Sequence, residues 1–105
     1  FDLSTKPVAP LDLSPINKEV VTSSTPTLSW QEVTDPVVPV TSYLVQISYS
    51  SVFSPVLQST QVNMSQYTTS GLTNGKYYWR VRAINALGVK GSWSTTAVFQ
   101  VSVTP

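Results

Sequence analysis

The segment GLTNGKYYWRVRA, residues 71–83, carries the strongest structural signal in the chain. Its second half alternates between a large apolar face and a more polar, charged face: Tyr77, Trp79, Val81 and Ala83 against Tyr78, Arg80 and Arg82. A period of two predicts a strand that is half-buried in a sheet and is incompatible with a helix. The dipeptide Asn74-Gly75 is typical of a tight turn, and it predicts the turn through which the chain enters this strand.

Strand signals recur on both sides of this segment. Residues 43–49 alternate in the same way, with Tyr43, Val45, Ile47 and Tyr49 on one face. Shorter strands are predicted at residues 27–30, 56–60, 66–69 and 97–103. Residues 7–15 contain three prolines, which suits an edge strand, and residues 19–22 are expected to continue that edge after a kink. Short strands separated by Pro, Gly and Asn predict an all-β, seven-stranded sandwich of the immunoglobulin-like type.

The predicted core is built from the inward faces of these strands. Trp30 and Trp79 are expected to come from opposing sheets and to meet in the interior, where each buries a large apolar area. The chain has no cysteine, so this contact would take the place of an intersheet disulfide. The predicted core residues are Leu28, Trp30, Tyr43, Val45, Ile47, Leu72, Tyr77, Trp79, Val81 and Phe99.

The composition excludes several classes of function. Histidine and cysteine are absent, and the five acidic residues lie on predicted loops and edges. We therefore expect no catalytic site, no metal site and no cofactor, and we predict that the chain is not an enzyme. The net charge is only +1, which argues against nucleic acid as a partner, and no apolar stretch is long enough for membrane insertion.

The two ends of the chain resemble each other. Residues 1–7, FDLSTKP, align with residues 99–105, FQVSVTP, at an offset close to the length of one sandwich domain. This similarity predicts that residues 1–6 are a linker or the tail of a preceding module and that residues 7–105 form the domain. The alternative is a chance match between two strand-like heptapeptides.

The chain resembles a fibronectin type III domain in several places. The spacing Tyr77-x-Trp79-x-Val81-x-Ala83-x-Asn85 after Leu72, with Gly88 in the next loop, is similar to the sixth strand of that family. Trp30 and the pair Tyr43-x-Val45 match its second and third strands. The resemblance implies a Greek-key sandwich and a tyrosine corner in which the Tyr77 hydroxyl bonds backbone near Leu72.

In some details the chain is similar to microbial modules that occur in tandem on large secreted or surface proteins. These details include a short connection before Tyr77 and the sequence Gly91-Ser92-Trp93-Ser94. This similarity, together with a composition rich in Ser, Thr and Pro, implies an extracellular or cell-surface location.

Candidate contact residues lie on the outer face and in one loop. Trp93 is expected to stack on Arg80 or Arg82, and a local brace is favoured over a ligand site. Tyr78, Tyr49 and Phe53 are candidates for an aromatic platform that binds sugar rings, although Tyr78 also fits an ordinary cross-strand role. Leu87 and Val89 are candidates for contact with a partner or with the next module, and Asn63 begins the glycosylation pattern Asn63-Met64-Ser65.

Three functions remain open from the sequence. The first is a non-catalytic spacer in a modular extracellular protein, with neighbouring domains of the same chain as partners. The second is an adhesion or carbohydrate-binding module, with protein or polysaccharide as its partner. The third is an accessory domain of a secreted polysaccharide-degrading enzyme whose catalytic site lies elsewhere in the full polypeptide.

Overall fold

A computed structural model describes residues 7–16, 19–34, 38–69 and 71–103. These residues form seven strands: β1 (Glu19–Val21), β2 (Thr27–Ser29), β3 (Val40–Ser48), β4 (Gln58–Val62), β5 (Gln66–Thr68), β6 (Gly75–Asn85) and β7 (Ala97–Val101). The predicted all-β immunoglobulin-like sandwich is therefore confirmed. The end-to-end similarity involves residues 1–6, 104 and 105, which lie outside the described residues.

The strands divide into two sheets. One contains five strands in the order β1-β7-β6-β3-β4, and the other contains β2 and β5. β6 is the longest strand at 11 residues and lies at the centre of the larger sheet, antiparallel to both β3 and β7. Its alternating sequence fits that position, because the apolar face can enter the core while the polar face remains on the outside.

The N-terminal part of the described chain, up to the end of β1, contributes to both sheets. Ser14 exchanges two backbone hydrogen bonds of 2.9 Å with Ser29, so this part lies beside β2 as an edge. β1 then pairs in parallel with β7 in the other sheet. The expectation that residues 19–22 continue the first edge was therefore wrong. Pairing with β7 gives the backbone N–H and C=O groups of β1 hydrogen-bond partners. It also lets the Val21 side chain pack against the core.

The core lies between the two sheets. All of the predicted core side chains are buried, and Ile47, Tyr77, Trp79, Val81 and Phe99 are each 0% exposed. Complete burial of such a side chain contributes about 1.5–3 kcal/mol relative to an exposed position. A domain of this size depends on nearly all of them, because its surface is large relative to its interior.

The connection between β5 and β6 contains a tyrosine corner. The Tyr77 hydroxyl donates a 2.6 Å hydrogen bond to the backbone carbonyl of Thr73, one residue beyond Leu72. The turn is also tied to the end of the chain, since Asn74 accepts from the Val103 backbone amide at 2.8 Å and donates to its carbonyl at 3.2 Å. These bonds hold the position at which β6 begins, and this position determines which of its side chains point outward.

Candidate functional site

The outer face of β6 carries the main concentration of charge and aromatic surface. Lys76, Tyr78, Arg80 and Arg82 follow one another at alternate positions, and all four are at least partly exposed. Their orientation follows from the strand period, which sends the intervening Tyr77, Trp79 and Val81 side chains inward. Folding of the core therefore places these four outer side chains in a row.

Arg80 is held from several sides. Its guanidinium lies 4.2 Å from the centre of the Phe53 ring and 4.1 Å from that of Trp93. Gln46, its cross-strand partner on β3, accepts from the Arg80 Nε at 3.1 Å and from Nη2 at 2.8 Å through a single oxygen. Burial, and secondarily the charge of Arg82, lowers the pKa of Arg80 from its ordinary value.

Arg82 shares the same tryptophan. Its guanidinium lies 4.6 Å from the centre of the Trp93 ring, and its Nε donates a 2.9 Å hydrogen bond to the Gly91 carbonyl. Trp93 therefore contacts both arginines, as the sequence led us to expect for at least one of them. We call the group Phe53, Arg80, Trp93 and Arg82 the arginine–aromatic stack.

The three rings considered as a sugar platform have different surroundings. Phe53 is only 6% exposed because it packs against Arg80. Tyr49 is 58% exposed, but its ring lies 5.2 Å from that of Tyr77, which faces the core. Tyr78 faces the opposite way and contacts Lys76. The platform hypothesis was wrong about Phe53, because a loop residue folds back onto the sheet.

The two apolar residues considered for contact with a partner, Leu87 and Val89, lie in the loop between β6 and β7 and differ in exposure. Leu87 is 68% exposed, whereas Val89 is half-buried. The Asn85 side-chain oxygen accepts from the backbone amides of both residues, at 2.9 Å and 3.0 Å. The loop is thus tied to the end of β6, and Leu87 lies at an exposed position on an ordered turn.

Asn63 is exposed in the short turn between β4 and β5. With Met64 and Ser65 it lines one side of an open cleft of about 290 Å³. The opposite side includes Glu32 and Tyr43, and the Tyr43 hydroxyl accepts a 2.9 Å hydrogen bond from the Val33 amide. The side chain of Asn63 therefore lies at the protein surface.

The described acidic residues do not converge. Asp12, Glu19 and Glu32 are exposed and lie on separate segments. Within the described ranges, no three His, Cys, Asp or Glu side chains are grouped in a way that would hold a metal ion. The described residues also contain no helix that is long and apolar enough to span a membrane.

Sequence reasoning missed two members of this surface. Phe53 lies in an irregular loop at a positive φ of 56°, so no periodic pattern marked it as a partner of Arg80. Gln46 alternates with the inward-facing Val45 and Ile47 and so falls on the outer face, but its pairing with Arg80 depends on the β3–β6 register. That register becomes visible only when the two strands are aligned through their buried residues.

The comparisons with known proteins identify a family. Residues 15–104 match the family described as "Rha78A-like, N-terminal immunoglobulin domain". The fold resembles that of a segment of an α-L-rhamnosidase from Dictyoglumus thermophilum, with a TM-score of 0.75 and 20% identity over 94% of this chain. It also resembles the Streptomyces avermitilis α-L-rhamnosidase complexed with L-rhamnose, with a TM-score of 0.67 and 18% identity over 92% of this chain.

The chain spans only 13% and 10% of the lengths of those two enzymes. A human fibronectin type III domain is similar in fold over 98% of this chain and 93% of its own, with a TM-score of 0.69 and 18% identity. No curated protein sequence matches. The fibronectin type III resemblance thus gave the correct fold, and the family match is more specific: the chain belongs to the Rha78A-like N-terminal immunoglobulin domains.

Proposed function

We propose that this chain is a non-catalytic accessory module of a larger glycoside hydrolase of the α-L-rhamnosidase type. The observation that carries the proposal is the family match over residues 15–104. The structural likeness to two α-L-rhamnosidases supports it, because in both cases nearly the whole chain corresponds to a small part of a much longer enzyme. This role corresponds to the third function considered from the sequence.

The chemistry of the described residues agrees with a role outside catalysis. Most glycoside hydrolases use two carboxyl groups that face each other across the scissile bond. The described acids, Asp12, Glu19 and Glu32, are exposed and lie on separate segments. They do not form such a pair, so the reaction would take place in another part of the full polypeptide.

A spacer in a tandem array and a sugar-binding module receive less support. The fibronectin type III domains that resemble this chain share its fold at 18% and 21% identity, a level similar to that of the rhamnosidases, and the family match over residues 15–104 favours the rhamnosidases. Phe53 is only 6% exposed and the Trp93 ring already contacts two guanidinium groups, which disfavours the stacking of a sugar ring next to Arg80. An extracellular or cell-surface location remains part of the proposal, since it suits a polysaccharide-degrading enzyme.

The test compares three proteins on an α-L-rhamnoside substrate: the isolated chain, the full gene product that contains it, and that product with residues 1–105 deleted. We expect no hydrolysis by the isolated chain and clear hydrolysis by the full product. The deletion should lower thermal stability more than it changes kcat. Hydrolysis by the isolated chain, or a full product that cleaves no glycoside, would contradict the proposal.

A further inference from the structure

The outer face of the larger sheet is positively charged and has no carboxylate of its own within the described residues. Arg80 and Arg82 occupy neighbouring outward positions on β6, and the facing outward positions on β3 hold the uncharged Gln46 and Leu44. The described acids lie on or beside other strands. Two adjacent cations without a counter-ion repel each other, so this face would be stabilised by an anion placed against it.

Both guanidinium groups are fixed before any ligand arrives. Arg80 is held between Phe53 and Trp93 and bonded to Gln46 through Nε and Nη2. Arg82 is held by the Trp93 ring and by the Gly91 carbonyl, which accepts from Nε. A ligand that binds here would not have to immobilise two long side chains, which removes much of the usual entropic cost of binding.

Part of each guanidinium remains available. Nη1 of Arg80 and both Nη atoms of Arg82 have no acceptor among the described residues. Among the described residues, the buried side-chain polar atoms without a partner are Trp30 Nε1 and Thr69 Oγ1, so the unbonded Nη atoms of the two arginines are not buried. They therefore reach solvent. The two Nη atoms of Arg82 form a planar fork that can bind a carboxylate through two parallel, charge-assisted hydrogen bonds, and Nη1 of Arg80 can donate one more.

We propose that Arg80 and Arg82 form a carboxylate-binding site and that its occupant is an acidic side chain of an adjacent domain in the same polypeptide. A protein carboxylate fits better than a stacked sugar ring, because Phe53 is only 6% exposed and the Trp93 ring already contacts both guanidinium groups. The carboxylate site stands on its own geometry, whereas the identity of the occupant rests on the proposed function.

The first experiment titrates the isolated 105-residue chain with disodium glutarate and, separately, with sodium chloride at matched ionic strength. NMR follows the side-chain Nε–H signals of Arg80 and Arg82 and the indole signal of Trp93. The indole of Trp79, which is bonded to the Pro15 carbonyl in the core, is the internal reference. We expect saturable shifts with glutarate only. Equal shifts in both salts would overturn the carboxylate site.

Two variants sharpen this experiment. Arg82→Lys keeps the charge but loses the planar fork, and loss of one charge-assisted hydrogen bond should weaken glutarate binding by roughly tenfold. Lys76→Gln removes a cation from the same face of the same strand and should leave the affinity nearly unchanged. The opposite ranking would mean that net charge, and not the paired arginines, attracts the anion.

The second experiment identifies the occupant by hydrogen exchange in the full gene product. Backbone amides of residues 78–94 should be better protected there than in the isolated chain, and Arg82→Lys or high salt should remove the difference. Glutarate binding without this extra protection would overturn the adjacent domain as the occupant. Neither experiment measures hydrolysis. A negative result for the carboxylate-binding site can therefore be distinguished from a negative result in the rhamnosidase assay.

Discussion

The indole rings of Trp30 and Trp79 lie with their centres 6.0 Å apart and their planes inclined by 51°. Trp30 follows β2 in the smaller sheet, and Trp79 lies in the middle of β6 in the larger one. The contact therefore joins the two layers in a chain without cysteine. The two rings differ in their polar atoms: Trp79 Nε1 donates a 2.9 Å hydrogen bond to the Pro15 carbonyl, whereas Trp30 Nε1 is buried and has no hydrogen-bond partner among the described residues.

This difference predicts unequal costs for the same substitution. Trp79→Phe removes ring volume and also leaves the Pro15 carbonyl without its donor, whereas Trp30→Phe removes similar volume and no hydrogen bond. We expect Trp79→Phe to lower the free energy of unfolding by about 1–2 kcal/mol more than Trp30→Phe. Urea denaturation of both variants measures the difference. Equal losses would show that the bond to Pro15 contributes little to stability.

Removal of the Tyr77 hydroxyl should destabilise the domain. Tyr77→Phe deletes the 2.6 Å hydrogen bond to the Thr73 carbonyl, and we expect the free energy of unfolding to fall by about 1 kcal/mol. Tyr78→Phe is the matched control, because the Tyr78 hydroxyl has no hydrogen-bond partner among the described residues. If the two variants unfold at the same urea concentration, the tyrosine corner does not stabilise this fold.

Stability should also fall at alkaline pH. Burial raises the pKa of Tyr43 and of Tyr77 above the ordinary value of 10.0, although hydrogen bonds from Val33 and with Thr73 partly oppose the effect. The folded state therefore holds these phenolic protons more tightly than the unfolded chain. Their contribution is complete below about pH 10 and is lost as the pH rises through the folded pKa values.

Urea denaturation at about pH 8 and about pH 11 tests this pH dependence. Tyr43→Phe removes one of the two raised groups, so the variant should lose less stability between the two pH values than the parent does. An equal decline in parent and variant would exclude Tyr43 as a contributor.

Gly91 is predicted to tolerate no side chain. A Cβ at this position would collide with the carbonyl oxygen of Pro7, a backbone atom and not the end of a flexible side chain. We expect Gly91→Ala to cost about 1–3 kcal/mol, the usual range for overpacking. Gly71→Ala is the control, since nothing lies within 4 Å of the corresponding Cβ position. A Gly91→Ala variant as stable as the Gly71→Ala variant would refute the close approach.

The longest strands were the easiest to predict from the sequence. The alternation at residues 77–83 and 43–49 located β6 and β3, although the strands extend to Gly75–Asn85 and Val40–Ser48. The C-terminal end of β6 was missed because Ala83, Ile84 and Asn85 are all buried, so the alternation stops there. The predicted β3 began three residues late and ended one residue late. The parallel pairing of β1 with β7 was missed for another reason: a local pattern shows which face is buried, but not which distant strand will be the neighbour.

The candidate site was predictable in the same uneven way. Trp93, Arg80 and Arg82 were connected correctly, because the strand period placed both arginines on one face and the tryptophan precedes the neighbouring strand. Phe53 could not be connected, because it reaches Arg80 from a loop whose conformation depends on tertiary contacts. The strand period was thus enough to predict that Trp93 contacts the arginines. The contact between Phe53 and Arg80 became visible only in the folded structure.

The arginine–aromatic stack should contribute to stability as well as to recognition. Trp93 contacts the guanidinium groups of Arg80 and Arg82 at 4.1 Å and 4.6 Å from its ring centre. Each cation–π contact contributes about 0.5–1 kcal/mol at a partly exposed site, so Trp93→Ala should lower the free energy of unfolding by about 1–2 kcal/mol.

Leu87→Ala is the control for Trp93→Ala, because Leu87 is 68% exposed and its removal should cost less than about 0.5 kcal/mol. Circular dichroism during thermal unfolding compares the two variants. A large loss for Trp93→Ala alone would identify Trp93 as a brace that fixes both arginines. Equal and small losses would mean that the guanidinium groups keep their positions without the tryptophan, held by Gln46 and by the Gly91 carbonyl.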